Sequence, residues 1–369
     1  MSPDEAAVAV SEQRDAGASM TSPGAGMTAD IGEQPEVYAH LAHTQSNAIA
    51  AVAERIARRR PRYVLYAARG TSDHAALYAA YLTEIRLGIP AGLASPSTVT
   101  VFGSRPDLAD CMVVGVSQSG GSPDIAAVLK SAAESGAVTV AVTNNPESAL
   151  AAQAHHHIDI CAGHERAVAA TKTYTAELLA LFMLIEGIRT GNGKLAEPET
   201  TALASLPELA RTVLDDDTVV EVARRYRFAD RMVTTGRGYA YPTARETALK
   251  LMETSYLPAL AFSGADLLHG PLAMTDPAVP VLAVVGDGPG GAAMGDVVGR
   301  LEEQRADVVV LGPRNVGGAS LHIPAPAVDE RIAPMVDILP LQRLALSVAV
   351  SRGENPDAPR GLRKVTETL

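Results

Sequence analysis

The sequence predicts an α/β protein of two tandem units, each a parallel sheet flanked by helices on both faces. Three observations carry this. Apolar runs such as residues 111–116 show no polar/apolar alternation, as strands covered on both faces do. These runs alternate with helical stripes and Gly/Ser/Asp turns in a strand–helix–strand–helix order. The pattern also restarts: the runs at residues 63, 111 and 138 have counterparts about 168 residues later, near 231, 280 and 307.

Taken in order, residues 1–29 are small and polar, with no basic segment leading into an apolar one. They read as a disordered extension of a cytoplasmic protein rather than a signal peptide. No apolar run approaches the ~20 residues that cross a bilayer, so no membrane partner is expected. The first domain spans 30–190. It opens with a helix that starts after Glu33-Gln34-Pro35 and stops before Pro61. A strand at 63–67, a turn at 69–73 and a helix at 74–87 follow. Strands at 111–116 and 137–142 flank a helix led by Pro123, a short strand lies at 157–161, and a long apolar helix covers 168–189. Residues 191–216, punctuated by Gly191, Gly193, Pro198 and Asp215-Asp216-Asp217, read as a linker. The second domain is 217–352, and 353–369 is an irregular basic tail.

With 31 basic and 42 acidic residues the 369-residue chain has a net charge of −11, which argues against nucleic acid as a partner. Cys111 and Cys161 beside apolar runs read as buried, reduced thiols. No metal-ligand spacing is present; His155-His156-His157 cannot converge on one ion from a strand and read as surface.

The organising stretch is residues 111–124, C-M-V-V-G-V-S-Q-S-G-G-S-P-D. A strand running into three hydroxyls, two glycines and a Pro-led helix aims N–H groups and hydroxyls at one point, where the helix dipole favours an anion. Ser117, Gln118, Ser119 and Ser122 read as a cradle for a monophosphate, since no Walker lysine follows the glycines. An ordinary loop with Ser122 as helix cap is the competing reading. The counterpart at 286–291 has glycines but no hydroxyls, and Asp287 would repel an anion, so one phosphate per chain is expected.

Elsewhere the residues leave two readings open. Glu246, Lys250 and Glu253 share a helical stripe; this is either an exposed ion-pair ladder or a base tuned by its neighbours. His269 before Gly270-Pro271 is either a turn residue or an acid–base group held still. Lys172 is either a surface charge or part of a crevice wall, and His74 reads as helix-face structure.

Together these stretches resemble the sugar isomerase (SIS) family with two tandem copies, in particular the isomerase half of glutamine–fructose-6-phosphate aminotransferase. The marks are E-Q-P at 33–35, R-G-T-S at 69–72, S-Q-S-G-x-S at 117–122 and V-A-x-T-K at 168–172. A-L-K-x-x-E at 248–253, L-x-H-G-P-L at 267–272 and P-R-x-L-x-K at 359–364 complete them. The resemblance implies that Thr71, Ser72, Ser117, Gln118, Ser119, Ser122, Val168 and Ala169 bind a phosphorylated sugar. It makes Glu253 the base for C1–C2 proton transfer and His269 the ring-opening group, supplied by the partner in a homodimer. Lys364 would close over the sugar or form an imine at C2, with Lys250 and Glu246 in support. No cofactor or metal is implied.

With no glutaminase segment before Asp30, the chain resembles most the stand-alone amino-sugar-phosphate deaminases, which turn glucosamine 6-phosphate into fructose 6-phosphate and ammonia. Ala170 stands where the aminotransferase has a Ser, and Met252 where a second Lys is common. Two other outcomes follow from the same chemistry: loss of the C3 hydroxyl from an N-acetylated sugar phosphate, or a sensor that binds without turnover.

Overall fold

The computed structural model describes residues 22–364. The expected extension lies outside the described residues up to position 21. From there the chain departs from the expectation of disorder, because Ala25–Gly32 is a helix. Met27 and Ile31 are buried against Ala167. The N–H groups of Gly26 and Met27 donate to the Asp357 carboxylate at 3.0 and 2.7 Å. The acceptor for this helix start comes from the other end of the chain, so nothing around residue 25 announces it.

The first sheet contains β1 (Tyr63–Ala67), β2 (Ala91–Leu93), β3 (Cys111–Ser117), β4 (Val138–Thr143) and β5 (His156–Asp159), all parallel, in the order β2-β1-β3-β4-β5. The second contains β6 (Met232–Gly236), β7 (Ala259–Ser263), β8 (Pro280–Val284), β9 (Asp307–Gly312) and β10 (Leu321–Pro324), in the order β10-β9-β8-β6-β7. Read from the other edge this is the same topology. β6, β8 and β9 begin 169 residues after β1, β3 and β4 (63 to 232, 111 to 280, 138 to 307). Register pairs Tyr63 with Cys111 and Ala67 with Gly115, so the carboxyl ends of β1 and β3 lie side by side. The chain leaves β1 toward β2 and β3 toward β4, in opposite directions. That divergence opens a crevice at the strand ends, where ligands of open α/β sheets sit.

The helices that follow β1 and β6, Thr71–Leu87 and Ala240–Ser255, pack on each other. Helix Lys172–Thr190 is buried at every position from Lys172 to Ile188, as an apolar core helix requires. It starts four residues later than its apolar run suggests. One core joins the units: Tyr78 and Phe182 of the first belong to the same buried cluster as Leu251 and Leu341 of the second. Phe182, with no exposure, alone contributes roughly 1.5–3 kcal/mol by burial. Helix Ala333–Ser351 is long and apolar enough to cross a membrane by length and composition, and it is mostly buried inside the protein.

Two expectations need correction. Most of the stretch read as a linker is a helix, Glu197–Leu214, with Leu203, Leu206, Ala210 and Val213 buried. Its apolar stripe at helical spacing packs on helices Gln34–Arg59 and Ala333–Ser351. Cys111 and Cys161 are free thiols, but half-buried rather than buried.

Candidate active site

A cavity of about 310 Å³ opens at the carboxyl ends of β1 and β3. Gly70, Thr71 and Ser72 line it from the β1 side, and Ser117, Gln118, Ser119 and Ser122 from the β3 side. Val168, Ala170, Glu253 and Lys364 complete the wall, with Arg69, Leu362 and Arg363. A larger groove of about 580 Å³, between helices Gln34–Arg59 and Glu197–Leu214, is mostly apolar and brings no comparable set of polar groups together.

The cradle is built by backbone geometry. Gly70 has φ +56° and ψ −129°, a conformation that delivers the N-terminus of helix Thr71–Leu87 to the cavity. Gly120 has φ +63°, and a Cβ there would lie 2.2 Å from Ser148 Oγ, so only glycine fits. Ser117 Oγ accepts the Gly120 N–H at 3.1 Å and Ser119 Oγ accepts the Gly121 N–H at 3.2 Å. Both hydroxyl hydrogens therefore stay available. Ser122 occupies the N-cap of helix Pro123–Glu134, yet its hydroxyl makes no capping bond. Asp124 accepts the Ile125 N–H instead (2.9 Å) and pairs with Arg69 at 2.8 Å. Ser122 is thus left free, against the ordinary-cap reading, and two helix N-termini face one cavity.

Opposite the hydroxyls stands Glu253, with its side chain 22% exposed. Lys250 Nζ donates to Glu253 Oε2 at 2.5 Å and to Thr71 Oγ1 at 2.9 Å, and lies 3.3 Å from Glu246 Oε1. Glu246 in turn accepts from Thr71 at 3.1 Å and contacts His74 Nδ1 at 2.7 Å. Burial pushes the Lys250 ammonium down, but the Glu246 and Glu253 carboxylates outweigh it and hold it above the usual lysine range. Burial likewise opposes ionisation of Glu246, and Lys250 and His74 overcome it, leaving the carboxyl below its usual range. The result is an ion-paired floor that pins one oxygen of Glu253. Glu253 Oε1 makes no hydrogen bond among the described residues, so it is free to take a proton.

Several predicted residues sit elsewhere. Glu246 and Lys250 are fully buried beneath the wall, not on an exposed ladder, because the helix of the first unit covers them. Ala169 is 1% exposed and does not line the cavity, leaving Val168 and Ala170 on its wall. His269 is exposed at the end of helix Gly264–Leu268 and does not line the cavity within one chain. Lys172 is not a surface charge: it is 1% exposed and paired with Asp30 (3.0 Å) and Glu33 (2.5 Å). Arg166 beside Glu33, with Lys172, holds that carboxyl down at about 2. His155 and His157 bond to Thr139 and Thr143 of β4, and no metal-binding group exists among the described residues.

Other residues carried no signal strong enough to single them out. His74 reaches Glu246 only through the packing of the two units, and Arg69 was part of a motif without a role. Glu177, inside an apolar helix, places its Oε1 2.8 Å from Ser72 Oγ. In the second unit the obstacle to an anion is Glu330: its Oε1 accepts the Gly291 N–H at 3.0 Å and fills the space over Gly288. Asp287, the residue expected to repel, pairs with Arg314.

The SIS domain family profile matches residues 59–187 and 226–352. A glutamine–fructose-6-phosphate aminotransferase [isomerizing] of Gloeobacter violaceus is 36% identical over 307 residues, covering 80% of this chain and 50% of that protein. The chain spans about half the length of the curated relatives it matches. A provisionally named phosphosugar isomerase of Silicibacter pomeroyi DSS-3 matches in structure with a TM-score of 0.82 at 32% identity, over 90% of this chain and 99% of that one. The C-terminal domain of glucosamine-fructose-6-phosphate aminotransferase from Francisella tularensis also gives 0.82, at 26% identity, over 93% and 100%. By these matches and its repeated topology, the chain belongs to the SIS domain family and carries two copies of that domain.

Proposed function

We propose that this protein is an amino-sugar-phosphate isomerase and deaminase, converting glucosamine 6-phosphate and water into fructose 6-phosphate and ammonia. One observation carries the reading: Glu253, with one oxygen pinned by Lys250, shares a 310 Å³ cavity with the hydroxyl cradle. The named activities of the relatives, sugar-phosphate isomerisation among them, support it.

The hydroxyls of Ser72, Ser117, Ser119 and Ser122, the Gln118 amide and the two helix N-termini hold the phosphate. This leaves C1 and C2 of the open-chain sugar to reach Glu253. Its Oε1 removes the C2 proton as the C1 carbonyl takes up a proton and becomes an enol; the first proton then returns at C1 while the C2 nitrogen gives one up, so that O1 gains the hydrogen the nitrogen loses. The nitrogen at C2 is then an imine; water adds to it and ammonia leaves. His269, exposed beside Leu268, reaches a partner's cavity in a homodimer and opens the ring. Lys364, now donating to the Ala167 carbonyl, closes the tail over the sugar. The steps require neither cofactor nor metal.

Proton NMR in D₂O with glucosamine 6-phosphate is expected to show fructose 6-phosphate carrying solvent deuterium, with ammonia released. An unsaturated product from the N-acetylated sugar phosphate would replace this reading by elimination. Line broadening without exchange at C2 would reduce the protein to a sensor. The Ser117→Ala, Ser119→Ala double variant is expected to raise KM at least about tenfold, since hydrogen bonds to charged groups contribute ~1.5–3 kcal/mol each. Its thermal midpoint should stay within a few degrees of wild type. Unchanged KM would remove phosphate from this loop.

A further inference from the structure

Beneath the cradle lies a carboxyl group that the reaction does not use. Glu177, on the helix Lys172–Thr190, is 1% exposed. Its Oε1 lies 2.8 Å from Ser72 Oγ, and its Oε2 is buried with no hydrogen-bond partner among the described residues. Its neighbours are the wrong sign for a carboxylate. Glu165, from the loop before this helix, and Glu246, from helix Ala240–Ser255, both oppose its ionisation. Helices Gln34–Arg59, Thr71–Leu87 and Ala333–Ser351 and strand β4 also pack on this helix. His74 and Lys250 sit against Glu246 and Lys364 lies 3.6 Å from Glu165; among the described residues no cation is within ion-pair distance of Glu177 itself.

A buried carboxylate with one partner, a bare oxygen and two acidic neighbours is a costly arrangement. The neutral acid fits the site: its single proton sits on the oxygen that has a partner, and the bare oxygen is then only an acceptor. Burial, reinforced by Glu165 and Glu246, pushes the carboxyl well above the usual range despite the Ser72 bond.

The direction of one hydrogen bond follows. If Glu177 were ionised, Ser72 would have to spend its only hydrogen on Glu177, presenting lone pairs and a negative charge to the incoming phosphate. If Glu177 is neutral, it donates to Ser72 Oγ, and the Ser72 hydrogen turns outward. We propose that Glu177 is a positioning residue that sets the polarity of the anion cradle, by donating its carboxyl proton to Ser72 so that Ser72 donates to the phosphate. This deepens the reading of the cavity as a phosphate site and rests on it.

The test uses inorganic phosphate, titrated calorimetrically into the full chain at a series of pH values from neutral to alkaline. Glu177→Gln keeps a donor facing Ser72 and cannot ionise. It is expected to bind phosphate within about twofold of wild type at neutral pH. At alkaline pH it should hold that affinity while wild type falls about tenfold below it. In a Ser72→Ala background the two should no longer diverge with pH, which a merely structural Glu177 would not predict. Thermal midpoints of each variant check that the fold is intact. Binding by Glu177→Gln about tenfold weaker than wild type at neutral pH, or parallel pH curves for the two, would overturn the Glu177 role while leaving the cradle standing. Absence of phosphate binding to wild type would overturn both.

Discussion

Glu253→Gln is expected to lower kcat about a thousandfold, within the range that a positioned general base supplies, with KM held within about threefold. The amide keeps the size of the side chain and can still accept from Lys250, so the floor of the cavity stays in place. What it loses is the ability to take a proton. The split matters: the cradle binds through the other wall of the cavity, on residues that Glu253 does not touch. Substrate should therefore still saturate the variant, and hydrogen–deuterium exchange at C2 should vanish together with product. A variant that turned over at more than about a tenth of the wild-type rate would move the base elsewhere. A variant that lost binding and turnover in proportion would make Glu253 a binding group.

The path to that residue shows what could be read in the sequence. The two sheets, their parallel order and the repeat were legible, because strands buried on both faces are apolar throughout and return at a fixed interval. The cradle was legible as well. Its geometry is a local backbone path, and a local path is written in adjacent residues such as Gly120, Ser119 and Ser122. The floor was not legible. By spacing, Glu246 and Lys250 pass for an exposed pair; only the docking of helix Thr71–Leu87 on helix Ala240–Ser255 buries them and brings His74 and Thr71 into reach. Glu177 was invisible for a related reason: a single acid in an apolar helix gives no sign of which hydroxyl it will meet. The helix Ala25–Gly32 was not legible because Asp357, at the far end of the chain, accepts its first N–H groups. Contacts between distant segments were the ones that the pattern along the chain could not carry. The resemblance to a known family did supply some of them: it pairs Glu253 with Lys364, which share the cavity, and Lys250, which lies beneath its wall, with Glu253.

Lys250→Met carries the largest expected effect on stability. Lys250 and Glu246 are both without exposure, and the ammonium is the only lysine or arginine within ion-pair distance of Glu246 among the described residues. Breaking a buried pair from one side leaves the other charge stranded, at about 3–5 kcal/mol. The pH dependence gives the sharper test. In wild type the Glu246 carboxyl is held below its ordinary value, so its contribution is present above about pH 4.5 and fades as pH falls through the folded value. The Lys250 ammonium is held above its ordinary value, so its contribution is present below about pH 10.5 and fades as pH rises through the folded value. Between those limits the pair makes stability nearly flat. Without the ammonium only the His74 contact is left against the burial of Glu246, and its carboxyl rises, so protonation becomes favourable to the fold. The variant should then be more stable at pH 5 than at pH 8, the reverse of what an acid-labile ion pair gives. Adding Glu246→Gln should recover much of the loss at pH 8, since no buried charge is then left to strand. Thermal midpoints of the three proteins at the two pH values decide it. A Lys250→Met protein as stable as wild type at pH 8 would mean that water reaches Glu246, and that the floor beneath Glu253 is softer than its burial implies.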